Sequence, residues 1–239
     1  EQIPELPFCN IWTAMQLSSR LPKGALFHMG VSNTRRCWNM FQLPESVESA
    51  CNVGCCGIDG CVSTLVGASL VNPDRLCYVV VGDLTFFYDL NSLGNHHIGT
   101  NLRVMLVNNG RGTEFRLGIH HCNVFGDDAD KYMAAAGHFG NKSPLLVKHY
   151  AEDLGFHYLS ATTKEEFITA LSNFTNPQLS DHSMILEVFT DSKDESEALY
   201  LMSHIQSDAK GMVRSKLKDA VRNVAGEKGI NAIKKILKK

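Results

Sequence analysis

The chain has 239 residues, of which 44% are hydrophobic and 20% are charged, and its formal net charge is −2. This length and apolar share suit one large α/β domain or two small ones. We expect no nucleic-acid partner. The sequence has no uninterrupted apolar run of about 18 residues and no charged-then-apolar leader, so we predict neither a membrane-spanning helix nor a signal peptide. We therefore expect a cytoplasmic protein.

The start of the chain and its cysteines refine that expectation. Residues 1–7, which begin with Glu1, are typical of an interdomain linker, and we interpret the chain as part of a longer polypeptide. The eight cysteines lie mostly within apolar runs and lack the spacing of a small secreted domain. This pattern predicts reduced, packed thiols and no disulfides.

The first half of the chain alternates helices and strands. FCNIWTAMQLSSRL has helical apolar spacing, ALFHMG is a short buried strand, and SNTRRCWNMF is a helix that starts at Ser32. Residues 54–60 form a glycine-rich turn before an apolar helix that ends at Val71. LCYVVVG is a strand that ends on Gly82, DLTFFYDLNSL is a helix with Asp83 near its N-terminus, and LRVMLVN is the next strand.

The second half repeats this pattern. DADKYMAAAGHF and SPLLVKHYAEDLG are predicted helices, FHYLSA and MILEVFT are predicted strands, and TKEEFITALSNF is a helix that Thr162 or Thr163 caps. Strands that alternate with helices predict an α/β fold, with a doubly wound, mostly parallel sheet of six strands and helices on both faces. We expect this domain to span residues 1–202.

A basic tail, residues 203–239, follows the predicted domain. From Ala209 onwards it has ten Lys or Arg against two acidic residues, and Val213, Leu217 and Val221 form an apolar stripe. This pattern predicts a basic amphipathic helix. The helix either packs on its own domain or makes weak contact with an anionic membrane surface, which would place the protein peripherally at the inner membrane surface.

Two of the predicted strands end on small polar residues. Asp83 follows the strand that ends at Gly82, and Asn109 follows the strand that ends at Val107. In open parallel sheets, ligands bind beyond the carboxyl ends of the strands. A carboxylate and an amide oxygen at that edge suit a Mg²⁺ ion that bridges to a phosphate. The alternative interpretation is a helix N-cap and a loop amide, which both commonly follow strands.

These residues also resemble a known motif. Gly82-Asp83, then 24 residues, then Asn108-Asn109 is similar to the thiamine-diphosphate motif. Together with GIDGCVSTLVGASL, VVVGDLTFFYDLNSL and VMLVNNGRGTEF, it resembles the C-terminal, diphosphate-binding (PP) domain of thiamine-diphosphate-dependent enzymes. Within that family the chain is most similar to the menaquinone-biosynthesis synthases that join succinic semialdehyde to isochorismate. The resemblance covers roughly residues 26–190.

The resemblance implies a role for each matching residue. Asp83, Asn109 and the carbonyl of Arg111 would hold Mg²⁺, and Leu84 and Thr85 would hold the diphosphate. The remaining cofactor-binding positions that it implies are Gly57, Ile58, Gly82, Gly112 and Thr113, with Ile58 as the bulky residue on which the cofactor bends. The positions implied to contact substrate are Ser32, Arg36, Glu114 and Phe115.

The chain differs from the menaquinone-pathway synthases at two positions. Val53 stands where they have an arginine, and Glu114 stands where they have an isoleucine. Losing a cation and gaining an anion weakens the binding of a dianionic partner, because a buried, unpaired carboxylate costs several kcal/mol. The differences predict a different 2-oxo acid or acceptor.

The resemblance also implies what the chain does. The intact protein would be a thiamine-diphosphate- and Mg²⁺-dependent decarboxylase or carboligase, a lyase or transferase, that acts on a 2-oxo acid as a homodimer or tetramer. The activating Glu of such enzymes lies on a pyrimidine-binding domain of the same or a partner chain, so we expect this fragment to be inactive alone. A non-catalytic binding or assembly domain with the same fold is the alternative.

Other patterns favour ordinary structural roles. The glycines of residues 54–60 have the spacing GxxGxxG, which differs from the dinucleotide-binding motif and favours a tight turn. Cysteines 55, 56 and 61 with His120, His121 and Cys122 contain no CxxC pair, which argues against a zinc site. His120 is close enough to Phe115 in sequence to border the predicted site.

Overall fold

The computed structural model describes residues 3–54, 56–117, 120–129 and 143–205. Within them the predicted α/β class is confirmed, because six strands form one sheet in which every pair is parallel. The strands are β1 (Leu26–Met29), β2 (Glu48–Cys51), β3 (Cys77–Gly82), β4 (Leu102–Asn108), β5 (His157–Ala161) and β6 (Met184–Phe189). Their order across the sheet is β2-β1-β3-β4-β6-β5.

Seven α-helices connect or flank these strands within the described residues. They are α1 (Asn10–Leu17), α2 (Asn33–Trp38), α3 (Cys61–Val71), α4 (Asp83–Tyr88), α5 (Leu146–Asp153), α6 (Lys164–Phe174) and α7 (Ser192–Ser203). Short 3₁₀ turns follow α4 at Leu90–Gly94 and β4 at Thr113–Arg116. None of the helices described is long and apolar enough to cross a membrane.

The central strands are buried on both faces, which is why their sequences are continuously apolar. Along β3, Tyr78 and Val80 point to one face of the sheet, and Val79 and Val81 point to the other. The first face packs against α1, α6 and α7, and the second packs against α3, α4 and α5. Each face has its own hydrophobic cluster, as expected for a doubly wound sheet.

The predicted strands and most predicted helices are found at the expected places. Thr163 is the cap of α6: its Oγ1 accepts a hydrogen bond from Glu166 N at 3.2 Å, and the Glu166 carboxylate accepts one from Thr162 N at 2.7 Å. α7 ends at Ser203, next to the predicted domain end. The DADKYMAAAGHF helix, except for its first residues, and nearly all of the basic tail lie outside the described residues.

A buried carboxylate joins both ends of this domain. Glu195 on α7 accepts hydrogen bonds from Asn10 N at 3.0 and 3.1 Å, and from Thr190 Oγ1 at 2.6 Å. Asn10 Oδ1 in turn accepts a hydrogen bond from Trp38 Nε1 at 3.0 Å. These contacts connect the first turn of α1 with α2 and α7. Burial raises the pKa of Glu195 from 4.5 to about 7, and the hydrogen bonds oppose this shift.

We predict that Glu195 makes the protein less stable as the pH rises. Because the pKa of Glu195 is raised in the folded state, the folded protein binds the proton more tightly than the unfolded chain does. The contribution of this proton to the free energy of unfolding is full below about pH 4.5 and is lost as the pH rises through about 7. Glu195→Gln keeps the shape and should flatten the pH dependence of the melting temperature across this interval. Equal slopes for the variant and the unchanged chain in melts at several pH values would refute the assignment.

Candidate functional site

A cleft of about 130 Å³ lies beyond the carboxyl ends of β1, β3 and β4. Most of its lining residues directly follow these three strands, and a few come from α1 and from the glycine-rich turn before α3. They are Asn10, Val31, Ser32, Asn33, Thr34, Ile58, Gly82, Asp83, Leu84, Thr85, Val107, Asn109, Arg111, Gly112, Thr113, Glu114 and Phe115.

The topology explains why the cleft forms at this edge. The chain leaves β1 towards β2 on one side and leaves β3 towards β4 on the other, so β1 and β3 are neighbours whose connections diverge. This divergence is the topological switch point, where open parallel sheets bind their ligands. The cleft opens at that point and extends past the end of β4.

The structure brings together every site residue predicted from the sequence except two. Gly57 and Arg36 do not line the cleft, although Arg36 contacts a residue that does. Val107, Val31, Asn10, Asn33 and Thr34 line it and were not predicted. Three of these residues, Val31, Asn33 and Thr34, are next to the predicted Ser32 in the segment that follows β1, so this segment could have been predicted as a whole. No local sequence signal identifies Asn10.

Asp83 is the most buried acid in the cleft, at 2% exposure. It is the first residue of α4, and its Oδ1 accepts a hydrogen bond from Leu84 N at 2.7 Å. On the neighbouring strand's loop, Asn109 Oδ1 accepts a hydrogen bond from Arg111 N at 3.3 Å. These two contacts orient a carboxylate and an amide oxygen on adjacent walls of one cleft, as predicted from the strand ends.

Gly82 has no structural reason to lack a side chain. Its φ of −78° is open to any residue, and an added Cβ would meet no described atom within 4 Å. Gly82 lines the cleft, so open space beside it is available to a ligand. Glycine is a common choice where a ligand approaches the backbone closely.

Two buried side-chain oxygens of the cleft are also available to a ligand. Thr113 Oγ1 and Asn33 Oδ1 are buried and have no hydrogen-bond partner among the residues that the structure describes. Because an unsatisfied buried polar group costs roughly 1–3 kcal/mol, such groups call for an explanation. A polar ligand in the cleft would supply the missing hydrogen bonds.

The backbone is strained at Ser32, on the rim of the cleft. Ser32 has φ 60° and ψ −122°, and its side chain makes no capping hydrogen bond to α2, which begins at the next residue. A non-glycine residue in such a conformation costs about 1–3 kcal/mol, and strain of this kind is concentrated at functional sites. Among the described residues, the other non-glycine with a positive φ is Cys56, two positions before the cleft residue Ile58.

A buried polar network lies beneath the loop that contains Asn109. Glu187 on β6 accepts hydrogen bonds from Asn108 Nδ2 and from Tyr158 OH, both at 2.7 Å. Burial raises the pKa of Glu187, the two hydrogen bonds oppose that shift, and the nearby charge of Asp83 adds to it. The network fixes the end of β4, from which Asn109 extends into the cleft.

An ion pair joins α2 to a residue that lines the cleft. The Arg36 guanidinium on α2 donates a hydrogen bond from Nη1 to Glu114 Oε2, in the 3₁₀ turn that follows β4. The two side chains are 35% and 20% exposed. Glu114 lines the cleft and Arg36 does not, so the charge that the wall presents to the cleft is that of a carboxylate.

Among the described residues, the histidines and cysteines that were interpreted from the sequence as structural residues do not line the cleft. The His120 ring packs edge-on against Phe115, with centroids 5.3 Å apart, and so borders the site without lining it. Cys56 is exposed, and Cys55 lies outside the described residues. In the part of the chain that the structure covers, no three His, Cys, Asp or Glu side chains are grouped to hold a metal ion.

A larger groove of about 450 Å³ lies at the opposite edge of the sheet. It is bounded by the loops that precede β4, β5 and β6, and its polar lining includes His96, Asp153 and His182. Ligands of parallel sheets bind at the carboxyl ends of the strands, and this groove is at the amino ends. The smaller cleft is therefore the candidate site.

We predict that removing the Glu187 carboxylate destabilises the domain. Glu187→Ala leaves the buried Asn108 amide and the half-buried Tyr158 hydroxyl without their acceptor, so the free energy of unfolding in urea should fall by about 2–4 kcal/mol. Glu187→Gln retains one acceptor and should lose less. A change under about 0.5 kcal/mol in Glu187→Ala would show that the network does not stabilise this region.

The chain is similar in sequence to several known proteins. The 2-succinyl-5-enolpyruvyl-6-hydroxy-3-cyclohexene-1-carboxylate synthase of Bacteroides fragilis is 34% identical over 196 residues, which are 82% of this chain and 34% of the synthase. The synthase of the same name from Phocaeicola vulgatus is 34% identical over 200 residues, with the same two shares. That from Christiangramia forsetii is 33% identical over 199 residues, or 83% of this chain and 33% of the synthase.

No protein-family profile matches the chain. The chain spans about a third of the length of the relatives described above. Its resemblance to this family, which the motifs around Asp83 and Asn109 indicated, is confirmed. Over the matched residues, the chain is therefore similar to the 2-succinyl-5-enolpyruvyl-6-hydroxy-3-cyclohexene-1-carboxylate synthases, which are thiamine-diphosphate-dependent enzymes.

Proposed function

We propose that this chain is the diphosphate- and Mg²⁺-binding part of a thiamine-diphosphate-dependent enzyme that acts on a 2-oxo acid. The observation that carries the proposal is the convergence of Asp83 and Asn109 on one cleft at the switch point of the sheet. Beside them, Gly82 leaves open space that the fold does not require.

The donor atoms of the cleft fit magnesium. Mg²⁺ prefers oxygen ligands, keeps some of its waters, and shares its coordination shell with phosphates. Asp83 would supply a carboxylate oxygen, Asn109 an amide oxygen, and Arg111 its backbone carbonyl. The chain would then contribute three oxygens and one formal negative charge, which leaves the ion enough positive charge to attract a diphosphate.

The walls of the cleft suit the rest of the cofactor. Leu84 and Thr85, in the first turn of α4, would hold the diphosphate, with Gly112 and Thr113 opposite them. Thr113 Oγ1 has an unused hydrogen-bonding capacity within the described structure and would bind a polar atom of the ligand. Ile58 would support the bend of the cofactor, and Gly57 would act through the backbone turn that precedes Ile58.

The size of the cleft supports sharing the cofactor with another domain. At about 130 Å³ it is smaller than the roughly 300–1,000 Å³ of typical ligand pockets, so it would enclose only part of thiamine diphosphate. We propose that a pyrimidine-binding domain, on the same chain or a partner chain, covers the remainder and supplies the activating Glu. We also propose a homodimer or tetramer, in which the 239-residue chain alone would be inactive.

Thiamine diphosphate, when bound, would supply an electron sink for decarboxylation. The chain's own residues would bind and orient: Asp83 and Asn109 at the metal, and Ser32 and Phe115 at the substrate end of the cleft. The reaction would be decarboxylation of a 2-oxo acid, with or without transfer to an acceptor, and hence that of a lyase or transferase. We propose a cytoplasmic location, with the basic tail as a weak membrane-surface contact.

We predict a Mg²⁺-dependent gain of thermal stability with thiamine diphosphate. A ligand at about 100 times its Kd stabilises the folded state by about 2.7 kcal/mol, which corresponds to a rise of roughly 5–10 °C in a domain of this size. Asp83→Ala should abolish the shift. Gly82→Ala should melt near the unchanged chain without ligand yet lose most of the shift, because Gly82 lines the cleft and an added methyl group would take up open space beside it. Asp181→Asn, at the opposite edge of the sheet, is the charge control.

The same melts separate the proposal from its alternatives. A shift that is equal with and without Mg²⁺, or that survives in Asp83→Ala, would overturn the magnesium site. The complete absence of a shift at millimolar thiamine diphosphate would favour the other candidate, a binding or assembly domain that retains the fold without the cofactor.

A further inference from the structure

We infer that the ion pair between Arg36 and Glu114 determines substrate specificity, and that the 2-oxo acid has an uncharged far end and one carboxylate. This inference rests on the proposed function, since it assigns the substrate class of the same cleft. The position of the ion pair in the fold supports it. Arg36 follows β1 and Glu114 follows β4, 78 positions away, and they meet across the end of β3.

The orientation of the pair decides which charge a ligand meets. Glu114 lines the cleft, whereas Arg36 does not line it and donates a hydrogen bond to the Glu114 carboxylate. A carboxylate can only accept hydrogen bonds. The group of a ligand that rests against Glu114 must therefore be apolar or a hydrogen-bond donor, and a second carboxylate of a substrate would face a like charge there.

The charges of the remaining cleft do not offset Glu114. Among the described residues that line the cleft, the charged ones are Asp83, Arg111 and Glu114. The formal charge of Asp83 balances that of Arg111. Towards the substrate end, the positive charge of Arg36 is balanced by Glu114 itself, so the described structure offers no net positive charge there to a dicarboxylate.

The ion pair is also partly shielded from solvent, which strengthens its electrostatic effect on a ligand. With side-chain exposures of 35% and 20%, it is less screened by solvent than the ion pair between Arg75 and Glu48, in which the glutamate is 73% exposed. A carboxylate that entered the cleft would have to displace Glu114 from Arg36 or lie beside it. Either event disfavours a dianionic substrate relative to a monoanionic one.

Calorimetric titration of the full chain with pyruvate and with 2-oxoglutarate tests the inference. The unchanged chain should bind 2-oxoglutarate no more tightly than pyruvate. Glu114→Gln removes the negative charge from the wall and leaves the positive charge of Arg36 unbalanced, so affinity for 2-oxoglutarate should rise about tenfold or more, as expected for one charge-assisted interaction. The affinity of Glu114→Gln for pyruvate should differ from that of the unchanged chain by less than about threefold.

Two further variants isolate the cause. Adding Arg36→Gln to Glu114→Gln should return the affinity for 2-oxoglutarate to that of the unchanged chain. Glu48→Gln breaks the Arg75 pair at the other edge of the sheet, where the pair joins the start of β2 to the loop before β3, and should leave both affinities unchanged. Unfolding melts of each variant confirm that it folds.

Three outcomes would overturn the inference: tenfold tighter binding of 2-oxoglutarate than pyruvate by the unchanged chain, no gain in a folded Glu114→Gln, or a gain that persists when Arg36 is also replaced. Each titration is run with and without thiamine diphosphate and Mg²⁺. A gain in Glu114→Gln together with no cofactor-dependent thermal shift supports the role of the pair and refutes the cofactor assignment, so the two failures are distinguishable.

Discussion

Parallel pairing of β1, β3 and β4 is the constraint on which the whole site depends. Because these strands run side by side in one direction, their carboxyl ends lie at one edge of the sheet, and the residues that follow them meet there. The divergence of the chain after β1 and β3 keeps connecting helices from filling the space between them. Asp83 and Asn109 converge for this reason.

A second requirement is that the strand ends are held in place, and buried polar contacts provide this. Glu187 fixes the end of β4 through Asn108, and Glu195 fixes the first turn of α1 through Asn10. Such groups are costly to bury unless they are hydrogen-bonded, and both carboxylates are. The domain therefore keeps two buried acids near the cleft, both with raised pKa values, where an apolar core would have sufficed for the fold alone.

The sequence predicts those parts of the structure that have a local origin. The apolar runs of β3 and β4 identify central strands, and the polar residues directly after them identify the edge where Asp83 and Asn109 meet. Thr163 and Glu166 likewise identify the start of α6 through a spacing of three residues. In each case the physical cause and the sequence signal lie within one element and its flanks.

The remaining features depend on pairing between distant segments, which one sequence does not display. Asn10 reaches the cleft because Glu195 holds α1 there, 185 positions away. Arg36 and Glu114 were each expected near the substrate, but their pairing depends on how α2 and the turn after β4 are packed. The strain at Ser32 is likewise a property of the backbone geometry and has no signature in a serine.

The central claim is that Asp83 and Asn109 bind one metal ion with the diphosphate of the cofactor. A crystal structure of the chain with thiamine diphosphate and Mn²⁺, which replaces Mg²⁺ and has an anomalous signal, tests it most directly. The account predicts one anomalous peak between the Asp83 carboxylate and the Asn109 amide oxygen, with the diphosphate adjoining it beside Gly82. A peak elsewhere, or a cofactor bound outside this cleft, would contradict the account.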